Sequence, residues 1–206
     1  MTRSEPRAWK LRQRSEVEDS PKFGVTSVCG RRRDMEDSVL VQPSFTQGFH
    51  YFGIFDGHGC SHVATMCKER LHEIVNEEID SAHENLEWKL TMENRFARMD
   101  DEVNCKSQSN QTFTCRCELQ TPHCDAVGFT VAIVTPDKLV VSNCGNSRTV
   151  LCQKGVVIPL SSGKLVVNFV LKLIVPYSIA QVKYTTRRPE ARKVVRQVTL
   201  WFPFHE

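Results

Sequence analysis

The sequence predicts a layered α/β domain of the α+β kind. Three observations carry this expectation. Short runs rich in Val, Ile and Phe lie on both sides of the chain's middle. Two long segments between them repeat apolar residues every three to four positions, and clusters of Gly, Pro, Asn and Asp separate the runs. Strands, then two helices, then strands again bury their apolar faces as layers around one core.

In chain order, residues 1–22 are polar, charged and aperiodic, and read as a disordered lead-in. Strands are expected over 23–29, 38–42 and 51–55, separated by a charged turn and by a loop holding Pro43 and Gly48. A helix follows over 61–79, because Val63, Cys67, Leu71, Ile74 or Val75, and Ile79 share one face. A second helix over 86–103 places Trp88, Met92, Phe96, Met99 and Val103 on its buried side. Residues 104–125 are polar and aperiodic and read as a long loop. Strands return over 126–134, 138–142, 149–153 and 156–158, broken by turn residues at Pro136 and Asp137, at 144–147, and at Lys154 and Gly155. After Ser162 the pattern loosens into apolar and basic residues without clear caps or turns.

The chain has 206 residues and 40% apolar content, enough for a core of ordinary domain size. Its net charge of +3 conceals an imbalance: residues 164–206 carry +6, and residues 1–163 carry −3. The basic charges of the last segment are scattered and lack interleaved aromatics, so neither nucleic acid nor a membrane is expected as a partner. The most apolar stretch, 165–175, is interrupted by Asn168 and Lys172 and is too short to cross a bilayer, which takes about 20 residues. Nine cysteines and a charged N-terminus without an apolar segment point to a reducing, intracellular setting with most thiols acting as small buried groups.

The chemistry concentrates at Asp56-Gly57-His58-Gly59, expected as a glycine turn closing the apolar run 51–55. Asp56 is a hard oxygen ligand suited to Mg²⁺ or Mn²⁺, and the Gly57 carbonyl is another. Both glycines let the backbone approach an ion or an oxyanion. His58 is the side chain that passes a proton near neutral pH. Upstream, Arg32 offers a planar fork to phosphate, and Glu36 and Asp37 add acid. Together these groups fit metal-assisted attack of water on a phosphomonoester. Spacing alone also permits a capped strand-to-helix turn beside a surface cluster of Arg31, Arg32 and Arg33. A second group, Cys115, Cys117, His123 and Cys124, holds enough soft ligands for zinc but at unusual spacing, and reads more readily as a loop of reduced thiols.

Three stretches resemble the metal-dependent (type 2C) protein serine/threonine phosphatases. They are Arg32-Arg33-Asp34-Met35-Glu36-Asp37; Tyr51-Phe52-Gly53-Ile54-Phe55-Asp56-Gly57-His58-Gly59; and Val141-Ser142-Asn143-Cys144-Gly145-Asn146-Ser147-Arg148. The segments 23–37 and 115–128 are most similar to the plant group inhibited by abscisic acid receptors. The resemblance covers about 23–162 and implies a fold of two antiparallel sheets packed face to face with helices outside each. It implies two Mg²⁺ or Mn²⁺ ions bridged by Asp56, with the Gly57 carbonyl as a ligand and Glu36 acting through water. Arg32 would hold the substrate phosphate, and His58 would be the general acid. It also implies phosphoprotein substrates such as protein kinases, abscisic acid receptors as partners, and a place in cytoplasm and nucleus.

The chain departs from that family in three ways. Two further metal-binding aspartates belong to the family's second half, yet no Asp follows Asp137, and only Glu190 and Glu206 are acidic after 163. The expected organisation is therefore a lead-in over 1–22, a partial phosphatase domain over 23–162, and a replacement tail over 163–206. This is an incomplete α-β-β-α sandwich, with sheet edges left uncovered. Asn146 stands where the family has Asp, and Phe129 where it has a small residue. Phosphatase activity is expected to be impaired, the alternative being a truncated, non-catalytic fragment that acts by binding a partner.

Overall fold

Apolar periodicity becomes strands and helices close to where the sequence places them. The computed structural model describes residues 22–29, 34–46, 48–58, 61–82, 86–108, 126–145, 147–153, 156–161, 167–172, 179–185 and 195–201. In order these form β1 (Lys22–Val28), β2 (Ser38–Thr46), β3 (Phe49–His58), α1 (His62–Ala82), α2 (Trp88–Gln108), β4 (Ala126–Val134) and β5 (Lys138–Cys144). β6 (Thr149–Gln153), β7 (Val156–Pro159), β8 (Val167–Lys172), β9 (Ile179–Thr185) and β10 (Val195–Trp201) complete the order. The 1–22 lead-in, except Lys22, and most of the 104–125 loop lie outside the described residues.

The strands form two antiparallel five-stranded sheets, one ordered β1-β10-β9-β6-β7 and the other β2-β3-β4-β5-β8. The second sheet is buried on both faces. Toward the helices it presents Tyr51, Phe55, Phe129, Val131, Ile133 and Val140, which pack with Cys67, Leu71, Ile74, Met92 and Phe96. Toward the other sheet it presents Phe52, Ile54, Ala132, Val134, Leu139 and Val141, which meet Leu151 and Leu160. Phe23 on β1 adds an edge-on contact to Phe52, with ring centroids 5.7 Å apart. The order is thus helices, sheet, sheet. Each fully buried aliphatic side chain in these layers contributes about 1.5–3 kcal/mol of burial.

Both helices form as their stripes dictate. In α1, Val63, Cys67, Leu71, Ile74 and Val75 are buried, and in α2 so are Trp88, Met92, Phe96, Met99 and Val103. The Ser61 and Glu87 carbonyls accept the first helical bonds, from Thr65 and Thr91, both at 2.9 Å. Away from the core, Arg70 on α1 pairs with Glu102 on α2 at 2.9 Å and with Glu73 at 2.8 Å, fastening the two helices to each other. Those carboxylates hold the Arg70 guanidinium pKa above its ordinary value. Phe129 does not overcrowd its strand: it lies edge-on against Phe96 at 4.6 Å, filling the layer between β4 and α2. His62 and His72 are half-buried, and the His72 ring lies 6.0 Å from Tyr51.

The segment after Ser162 departs most from expectation. It supplies three strands: β8 pairs with β5, β9 with β6, and β10 with both β9 and β1. The expected open edges of β5 and β6 are therefore covered. Backbone pairing asks only for extended residues, and 180–185 (Ala, Gln, Val, Lys, Tyr, Thr) alternates apolar with polar as a strand requires.

β2 also runs further than expected, past Pro43, because the pairing with β3 shifts register between Gln42 and Thr46. Within that irregularity Ser44 adopts φ +52°, a left-handed conformation, and its N–H donates to His50 Nδ1 at 3.1 Å. Burial lowers the His50 pKa below its ordinary 6.5. The unfolded chain therefore binds the proton first as pH falls, so stability is complete above about pH 6.5 and is lost below it. We expect the melting temperature to drop between about pH 7 and pH 5. The drop should be smaller in His50→Gln, whose side-chain oxygen can still accept from Ser44 but cannot titrate. Thermal melts of both proteins across that range provide the check.

Candidate functional site

The buried face between the sheets ends in polar residues at one end of the β3–β4–β5 ladder. Asp56 is not in a turn. β3 continues through Asp56, Gly57 and His58, which pair with Gly128, Val127 and Ala126 of β4. The expected turn is displaced because β4 is long enough to match β3 to its last residue. Since side chains alternate along a strand, Asp56 falls on the face of Phe52 and Ile54, and it is only 3% exposed. Among the described residues its Oδ2 has no hydrogen-bond partner. His58, two residues on, shares that face at the rim with a side chain 47% exposed; its Nε2 lies 3.5 Å from Asp56 Oδ2. Its Nδ1 lies 3.0 Å from the Asp56 carbonyl oxygen.

β2 brings the second acidic segment alongside. Ser38 pairs with Phe55, so the residues just before Ser38 arrive next to Asp56. Asp37 is buried there and Glu36 is half-buried. The site reading chose Glu36. Asp37 carried its own signal, being in phase with Val39 and Val41, which face the sheet interior.

Behind Asp56, β4 and β5 carry two buried polar side chains that sequence reading passed over. Thr130 and Asn143 stand directly opposite each other, and Thr130 Oγ1 donates to Asn143 Oδ1 at 2.6 Å. Asn143 Nδ2 donates to the Gly145 carbonyl at 3.3 Å. Gly145 has φ +85°, and a Cβ placed on it would lie 3.0 Å from the Cα of Gly128, the partner of Asp56. Below the turn, Thr149 N–H donates to Ser161 Oγ at 2.9 Å, and Ser147 is buried. The signal for these residues is phase again: each is a polar residue at a buried strand position or at a turn between buried strands.

Of the expected site, the structure brings together Asp56, Gly57 and His58, with Glu36 on the adjoining strand's approach. Arg32 lies outside the described residues, as do Gly59, Asn146 and the Cys115, Cys117, His123 and Cys124 group. Cys67 and Cys144 are free thiols, and Cys29 Sγ donates to the Asp34 carbonyl at 3.3 Å. Burial pushes the Cys67 thiol up to about 12, with Cys144 and Asp100 adding to the effect, so it is a packing group and not a nucleophile.

These donors fit one side of a divalent-ion site. A buried carboxylate oxygen without a hydrogen bond, followed by a glycine carbonyl, is a hard-oxygen pair for Mg²⁺ or Mn²⁺. They do not complete it. Among the described residues no group of three or more His, Cys, Asp or Glu comes together as a metal cage. No helix among them is long and apolar enough to cross a membrane.

A two-sheet sandwich with helices over one sheet, and a buried aspartate where its strands end, defines the structural class. The chain matches the family Protein phosphatase 2C over residues 22–168. It therefore belongs to the protein phosphatase 2C family. It is 56% identical over 152 residues to the Probable protein phosphatase 2C 24 of Arabidopsis thaliana, covering 69% of this chain and 42% of that one. Against Protein phosphatase 2C 3 of the same plant, the identity is 54% over 157 residues, covering 71% and 35%. The chain thus spans less than half the length of these relatives. Among solved structures, PppA, a key regulatory component of T6SS in Pseudomonas aeruginosa, matches with TM-score 0.59 at 12% identity, covering 89% of this chain and 98% of PppA. A C. elegans sex determining protein matches with TM-score 0.55 at 16% identity, covering 69% of this chain and 34% of its own. These two likenesses concern the fold.

Gly145 tests the tightness of this end of the ladder. Gly145→Ala combines a left-handed backbone with a Cβ at 3.0 Å from Gly128, and should cost about 1–3 kcal/mol. Chemical denaturation would measure that loss. A cost near zero would mean that the turn does not press on the strand opposite Asp56.

Proposed function

We propose that this chain carries one half of the centre of a metal-dependent protein serine/threonine phosphatase, and that its own turnover of phosphoserine and phosphothreonine is impaired. The observation that carries this reading is Asp56: buried, with one carboxylate oxygen that has no hydrogen-bond partner among the described residues and only a long ion pair, 3.5 Å, to the exposed His58. Leaving such a group unmade costs about 1–3 kcal/mol, a cost that ligation by a cation would remove. When bound, Mg²⁺ or Mn²⁺ would supply Lewis acidity toward phosphate and water. Asp56 would hold the ions, the Gly57 carbonyl would ligate one, and Glu36 would contribute through water. Arg32 would bind the phosphate, while His58, exposed at the rim, would deliver a proton to the leaving oxygen.

Impairment follows from ligand charge. No Asp occurs after Asp137, so the strands that close the sheets bring no carboxylate from that residue type. A two-ion centre with about half of its acidic ligands binds divalent ions much more weakly. The same observation favours a second reading, in which the chain is non-catalytic and acts by binding a partner. The working division is a lead-in over 1–22, a partial phosphatase unit over 23–162 and a chain-specific tail over 163–206. Substrates of the protein kinase type, abscisic acid receptors as partners, and residence in cytoplasm and nucleus belong to the first reading.

The test is Mn²⁺-dependent phosphate release from a phosphothreonine peptide, beside Asp56→Ala and a full-length relative. We expect turnover lower than the relative's by roughly 100-fold or more, and abolished by the substitution. We also expect Mn²⁺ to raise the melting temperature of the native chain only. Without metal, Asp56→Ala should melt higher than the native chain, since an unsatisfied buried carboxylate is gone. Equal Mn²⁺ response in both proteins would remove the phosphatase reading.

A further inference from the structure

Asn143 is completely buried in β5, in a face otherwise built from Leu139, Val141, Ala132 and Val134. An amide in an apolar layer is costly unless both of its ends are used, and here both are. Its oxygen accepts the Thr130 proton at 2.6 Å, and its nitrogen donates to the Gly145 carbonyl at 3.3 Å. No other side-chain type of this size does both. Asp would set oxygen against the Gly145 oxygen, and Leu would make neither bond.

The two bonds lead to the same place. Thr130 pairs with Ile54 and Gly128 with Asp56, so Thr130 and Asp56 are diagonal neighbours on one face of the β3–β4 pair. With its proton committed to Asn143, the Thr130 hydroxyl offers only lone pairs to whatever sits beside Asp56. The other bond holds the Gly145 turn, which runs so near Gly128, directly across from Asp56, that a Cβ on Gly145 would lie 3.0 Å from the Gly128 Cα.

We infer that Asn143 is a positioning residue for the Asp56 site: it fixes the Thr130 hydroxyl as an acceptor and fixes the height of the strand opposite Asp56. This inference rests on the divalent-ion reading of that site. Asn143 touches no substrate or ion in this role, and acts through Thr130 and the turn.

The experiment measures Mn²⁺ dissociation constants by the electron paramagnetic resonance of the free ion. The proteins compared are the whole native chain, Asp56→Ala, Asn143→Leu, Thr130→Val and the double variant Asn143→Leu with Thr130→Val, with circular dichroism to confirm the fold of each. We expect Asn143→Leu and Thr130→Val each to weaken Mn²⁺ binding by about 10-fold or more. The double variant should lose less than the product of the two effects, because both act through one hydrogen bond. A folded Asn143→Leu that binds Mn²⁺ as the native chain does, while Asp56→Ala does not, overturns the inference and leaves the ion reading standing. Should Asn143→Leu fail to fold, Thr130→Val decides alone, and native affinity there overturns the inference. If the native chain and Asp56→Ala bind Mn²⁺ alike, the ion reading falls and the inference with it.

Discussion

Burial of β3 on both faces is the constraint on which the rest of the structure depends. Tyr51 and Phe55 face the helices while Phe52 and Ile54 face the second sheet, so neither side of the strand can be exposed without losing a core. That double commitment fixes register, because a slip of one residue would exchange the two sets. It also fixes where Asp56 stands. A carboxylate two positions after Ile54 must fall on the inner face, and only a compensating ligand or an energetic penalty accounts for it there. Glycine at 53 belongs to the same constraint: a Cβ would lie 2.8 Å from the Phe55 ring, so the two flanking aromatics close over the gap.

Completing a sheet and completing a metal centre are different physical problems. A strand edge is satisfied by any extended backbone, since N–H and C=O groups are common to nearly every residue. A divalent ion requires particular side chains at particular points. The residues beyond Ser162 meet the first requirement by adding β8, β9 and β10, and they contain no aspartate for the second. The match to the family ends at residue 168, just inside β8. Architecture thus extends past the point where family chemistry stops.

The helices and the core strands were legible in the sequence because their signal is periodic and local. Val63 to Val75 and Trp88 to Val103 declared their buried faces by spacing alone. Strand limits were less legible: the glycines of Asp56-Gly57-His58 read as a turn, but a long partner, β4, kept them in the ladder. The tail strands were missed because pairing between Val195–Trp201 and Lys22–Val28 is a contact across nearly the whole chain, with no local mark. At the site, Asp56 and His58 stood out by type. Thr130 and Asn143 did not, since a polar residue at a buried phase is visible only once both strands and their register are known. Asp37 was named only as added acid beside Glu36, and alternation with Val39 places it on the buried inner face.

The pairing of β1 with β10 ties the ends of the described chain together. On the ribosome the first strand must therefore wait for the last: β1 has no neighbour in its sheet until residues 195–201 have emerged. The β2–β3–β4–β5 ladder and both helices are available well before that, so one sheet can condense on its helices while the other is still an open set of edges. For that interval Phe23 and Val25 belong to an unanchored segment, and chaperones would meet the protein as a seated half and a waiting half.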